Sequence, residues 1–160
     1  MYLIAIVLAV GLFAQPALAQ PDMTGMWKMV AERSGSPGQT PAVTDTTLTI
    51  QQTAADVRVE WLSGADKPIV TTYVVGPAPR QPAEPLGADA KIAYWDGQRL
   101  VLERGGAISG QTVSMKQSLT IDPESRELIV ERLVIVQHGY TLRGTKNYAT
   151  VKDVFTRVGS

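Results

Sequence analysis

The 160-residue chain contains no cysteine, which excludes disulfides, thiolate metal sites, a Cys nucleophile and a lipidated N-terminal Cys. Histidine is nearly absent as well. His138 is the only one, so a zinc site would lack imidazole partners. Neither sign of charge is in excess: Lys plus Arg and Asp plus Glu both number 15, and no net field steers the chain toward nucleic acid or anionic lipid. Gly-x-Ser-x-Gly is missing, and with it one common setting for a serine nucleophile. The glycine-rich stretch Arg104-Gly105-Gly106-Ala107-Ile108-Ser109-Gly110 lacks the Lys and following helix of a phosphate loop, so it reads as a hairpin connection. From these gaps we expect no cofactor, no metal and no catalysis.

Long hydrophobic runs are also lacking, with one informative exception. Residues 3–13 form an apolar run too short for the roughly 20 residues of a membrane span, and Ala17-Leu18-Ala19 satisfies the small-x-small rule for signal cleavage. No Lys or Arg precedes the run, so the α-amino group alone supplies the positive end. The expectation is a signal peptide over 1–19, a mature domain over 20–160, and a periplasmic or secreted product without stable membrane insertion. An exported protein free of disulfides suits a bacterial envelope best.

What is present is alternation. Residues 46–52 set Leu48 and Ile50 against Thr47, Thr49 and Gln51, and residues 56–62 set Val57, Val59 and Trp61 against Arg58 and Glu60. A period of two with one polar face predicts strands in a sheet with one wet side. Further strands are expected at 24–31, with Trp27, Met29 and Ala31 on one face, and at 68–75, 91–95, 98–103, 111–121, 127–136, 140–149 and 151–158. The largely apolar 127–136 suggests burial on both faces or a covered outer face. Asp96-Gly97 reads as a type I′ hairpin pair, and Asp122-Pro123-Glu124-Ser125 has the residues of a type I turn. Residues 76–87, with four prolines, are excluded from a central strand and read as a surface loop. Short strands without an amphipathic helix leave sandwich and barrel. Successive hairpins favour an all-β, antiparallel up-and-down barrel of about 8–10 strands, whose closure removes sticky edges.

Several segments carry a resemblance. Gly25-Met26-Trp27-Lys28 resembles the Gly-x-Trp signature that opens the first strand of lipocalins. Leu48-Thr49-Ile50-Gln51-Gln52, Trp95-Asp96-Gly97-Gln98-Arg99 and the terminal Phe155-Thr156-Arg157 look like small exported lipocalin-like proteins of bacteria. The resemblance implies that Arg157 lies across Trp27 to close one end of the barrel beside Gly25. It supplies no middle lipocalin motif.

By parity, Trp61, Tyr73, Tyr94, Met115 and Gln117 are the candidates for the inward face. They either line an apolar pocket with a few polar handles or fill the core. Gln117 stands out because a buried amide needs partners. His138, in Gln137-His138-Gly139-Tyr140, reads as a solvated turn histidine in preference to a haem ligand. The expected function is non-catalytic binding of a small apolar or amphipathic molecule inside the barrel. The alternative is a structural or protein-interaction module with a solid core, using the Pro-rich loop or the outer sheet face.

Overall fold

The computed structural model describes residues 19–35, 45–78, 86, 89–108, 111–136 and 148–159. Residues 1–18 of the expected signal peptide, most of the Pro-rich stretch, His138 and residues 140–147 of an expected strand lie outside the described residues.

Among the described residues, nine strands go round one closed barrel in chain order: β1 (Gly25–Met29), β2 (Thr46–Gln52), β3 (Asp56–Ser63), β4 (Ile69–Val75), β5 (Lys91–Asp96), β6 (Arg99–Ile108), β7 (Gln111–Ile121), β8 (Leu128–Val136) and β9 (Tyr148–Arg157). The all-β class read from alternation is the one observed. Among the described residues the helical content is a 3-10 turn, Ala31–Arg33, and no helix is long and apolar enough to cross a membrane.

Closure accounts for the one break in the meander. A ring in which every neighbour is antiparallel needs an even number of strands. Nine strands, with β1 antiparallel to β9 through Trp27↔Arg157, Lys28↔Thr156 and Met29↔Phe155, therefore require one parallel joint. That joint is β4–β5, paired only at Val74↔Ile92 and Val75↔Ala93. Parallel neighbours cannot be joined by a tight hairpin, since the chain must return to the starting end. This is why residues 76–90, in which a proline-rich surface loop was expected, separate the two strands in place of a tight turn.

Four local readings are corrected. The first strand stops at Met29, and Ala31 enters the 3-10 turn. The turn lets Ser34 serve the edge of β9, its hydroxyl donating to the Val154 carbonyl at 3.3 Å and accepting from the Val154 N–H at 2.9 Å. Asp96 pairs with Arg99, so the two-residue turn is Gly97-Gln98, with positive φ at Gly97 (62°) and not at its neighbours. That is the II′ pattern, not I′, because Gly occupies the first central position. Residues 149 and 151 share β9 and do not belong to two strands, since no turn residue interrupts the alternation at Thr150. Finally, β8 is buried on one face only. Leu128 and Val130 are in the core, while Glu131 and Ile135 are exposed.

The core fills the barrel from the end at which β1 begins. Trp27, Leu48, Ile50, Val57, Val59, Tyr73, Leu100, Leu102, Leu119, Leu128 and Phe155 pack into one cluster, each from the inward parity of its strand.

Candidate functional site

The floor of the barrel is built on Trp27. Its indole N–H donates to the carbonyl of Met23 at 3.0 Å, and the Arg157 guanidinium lies 4.6 Å from the ring centroid. Arg157 Nη2 also donates to the Asp22 carbonyl at 3.2 Å. Gly25 holds φ at +145°, and a Cβ there would sit 3.5 Å from Arg157 Nη1. Sequence reasoning missed Met23, which is fully buried as a plug across this end; its only sequence signal is an apolar residue just before the first strand.

Further along the barrel the interior changes character. Arg132 on β8 takes the inward parity of Leu128 and Val130, and its Nη2 donates to Asp153 Oδ2. Asp153 is fully buried between Val151 and Phe155 on β9. Its second oxygen accepts the N–H of Gly35 at 3.2 Å, which joins the segment after the 3-10 turn to the ion pair. The Arg132 guanidinium also lies 5.5 Å from the ring centroid of Trp61, and Trp61 meets Phe155 edge-on at 5.8 Å. Gln117 stands directly opposite Arg132 in the β7–β8 register. It is buried, and its Nε2 reaches only the Met115 sulfur, at 3.7 Å. Gln117 Oε1 and Arg132 Nε are buried without a hydrogen-bond partner.

Of the five inward candidates, Trp61, Met115 and Gln117 therefore gather around Arg132 and Asp153. Tyr73 lies in the packed core. Burial raises its phenol pKa, and the charge of Arg104 and a bond with Thr71 pull it partway back. Arg104 is opposite Met115 on β6 and shares the inward parity. Tyr94 is a correction. The β5–β6 register sets Ala93 opposite Leu102 and Trp95 opposite Leu100, both core leucines, so Tyr94 points outward. There its hydroxyl donates to Glu103 at 2.6 Å and accepts from Lys116 at 3.0 Å, while Lys116 and Glu103 are 3.1 Å apart. Burial and the Glu103 carboxylate raise the Tyr94 pKa. The parity of β5 was unreadable because Ile92, Ala93, Tyr94 and Trp95 present no polar face.

The arrangement offers no acid, base and nucleophile in sequence, and among the described residues no group of His, Asp and Glu could hold a metal. What it offers is an apolar wall with donors and acceptors at one level. Two clefts of about 790 and 620 Å³ are also present, the larger meeting this site at Gly35, Arg132 and Val151. The larger runs between residues 32–35 and the outward side chains of β7, β8 and β9, including Lys116, Glu131 and Lys152. The smaller lies under the floor at Trp27 and Arg157.

No family description matches the chain, and neither does any curated protein. Solved structures do. A point mutant of the fluorescent protein UnaG is 14% identical, covering 86% of this chain and 97% of that one at a TM-score of 0.50. Wild-type UnaG gives 14% identity, 85% and 97% coverage and a TM-score of 0.47. The zebrafish ileal bile acid-binding protein complexed with cholic acid gives 11%, 84% and 98%, with 0.45. At such identities the likeness concerns the fold alone, a closed β-barrel.

Proposed function

We propose that the mature chain is an exported, non-catalytic barrel that binds one small apolar or amphipathic molecule in the interior around Trp61, Met115, Gln117, Arg132 and Asp153. The observation that carries this reading is the Arg132–Asp153 pair inside the barrel, with Asp153 fully buried. Asp153 is withdrawn from water while the Arg132 side chain stays 31% exposed, and a buried carboxylate held in such a pair rarely stabilises a fold better than an apolar residue of the same size. The other end of this same barrel is filled with such residues, so packing alone gives no reason for the pair. The Gln117 amide oxygen beside it, buried without a donor, adds a second cost without a structural return. A ligand that completes these bonds supplies the reason. Export rests on the leader read in residues 1–19, which makes the periplasm or the exterior the place of action.

The test is native mass spectrometry of the protein purified from its own host. A retained small molecule, released on denaturation, is the expected result. No added mass, together with no thermal shift across a panel of lipids and cofactors, overturns the reading.

One observation favours a second reading, a protein-interaction module. The cleft of about 790 Å³ beside β7–β9 is ringed by Glu32, Arg33, Glu131 and Lys152 and shares Arg132 with the interior site. Charge reversal at Lys152 would disturb such a partner and leave interior binding untouched.

A further inference from the structure

Gln117 and Arg132 are directly opposed across the β7–β8 ladder, so their side chains leave the same inner face with Cβ atoms about 4.5–5.5 Å apart. The valences still open there are specific. Gln117 is 6% exposed, and its Nε2 faces the Met115 sulfur, which leaves Oε1 as a buried acceptor without a donor. Reversing the amide would set its oxygen against the sulfur, two acceptors in contact, so the amide nitrogen belongs on the sulfur side. Arg132 Nε–H is a buried donor without an acceptor. The guanidinium charge is already matched, because Nη2 is on Asp153. One donor and one acceptor, on directly opposed residues and with the guanidinium charge already matched by Asp153, remain to be satisfied.

We propose that this pair recognises a neutral cis amide, such as a primary carboxamide, at the polar end of the apolar ligand. The ligand carbonyl accepts from Arg132 Nε–H, and its N–H on the same edge donates to Gln117 Oε1. Trp61, under the guanidinium, holds the plane of Arg132. A carboxylate fits poorly. It brings no hydrogen for Oε1, and it sets a second anion beside Asp153 for a guanidinium that Asp153 already neutralises. This assignment rests on the interior-binding reading above and narrows its ligand class.

The test compares decanamide with decanoate by isothermal titration calorimetry on the purified protein at neutral pH. Decanamide is expected to bind at least about tenfold more tightly, about 1.4 kcal/mol. Gln117→Met removes the acceptor at similar volume and should abolish that preference. Gln117→Glu keeps an acceptor, so it should retain decanamide and weaken decanoate further; far-ultraviolet circular dichroism checks that both variants fold. Equal affinities, or tighter binding of decanoate, overturn the amide assignment and move recognition to the Arg104 side of the interior. A preference that survives Gln117→Met overturns it too. Binding of neither probe overturns the amide assignment, while the interior-binding reading falls only to the mass-spectrometric and thermal-shift outcome given above.

Discussion

Trp27 is fixed on two sides, by the bond from its indole N–H to Met23 and by the guanidinium of Arg157 over its ring. Deleting a fully buried indole leaves a cavity that a closed ring of strands has little freedom to collapse. Trp27→Ala is therefore expected to cost about 3 to 5 kcal/mol in urea unfolding. A loss under about 1 kcal/mol would mean a peripheral ring. Tyr73 gives a pH prediction. Its folded pKa is raised by burial, so the fold favours the neutral phenol. The associated stability is whole below the ordinary value of about 10 and is lost as pH rises through the higher folded value. Tyr73→Phe should flatten the alkaline fall of the urea midpoint, and identical alkaline slopes would refute this. Trp27 and Arg157 could be singled out in the sequence because each stands in a short pattern at one end of the domain. Arg132 and Asp153 could not, since a charged residue in a strand is assigned to the wet face by default. The neglected signal was parity, with Arg132 in step with Leu128 and Val130, and Asp153 in step with Phe155.

At the scale of elements, legibility followed the contrast between the two faces. β2 and β7 have the expected bounds, because every second residue in them is polar. β5 has no such contrast, and Tyr94 was placed on the wrong side for that reason. Turns show the same dependence on backbone detail. Between β7 and β8, Asp122 Oδ1 accepts the N–H groups of Glu124 and Ser125 at 2.9 and 2.8 Å. The turn then ends on Arg126 at φ 60°, a left-handed conformation in a residue with a Cβ. Those two bonds also hold the Asp122 carboxyl below the usual carboxylate range. Replacing Arg126 by glycine relieves the strain and should raise stability by about 1 kcal/mol. A melting temperature unchanged or lowered in Arg126→Gly would show that the side chain contributes more than its backbone costs.

At the scale of the molecule, the closed ring stands in for the disulfides that a cysteine-free chain lacks. Alternation and turn spacing made the barrel legible. The parallel joint was not, because direction depends on the parity of the strand count and no residue encodes it. That joint has two paired positions, whereas β6–β7 and β8–β9 are laddered along most of their lengths. The amide protons of β4 ahead of Val74, on the side toward β5, should thus exchange with deuterium sooner than those of β7. Equal protection across both strands would contradict the register.

The seam between β1 and β9 has another consequence. The N–H of Val158 reaches the carbonyl of Met26 at 2.8 Å, so the start and finish of the fold are neighbours, and Ala78 on the far side is exposed. A circular permutant cut after Ala78, with a flexible tether from Gly159 to Gln20, should regain the same barrel and melt in one step. The order in which these strands are threaded would then be incidental to the shape they make.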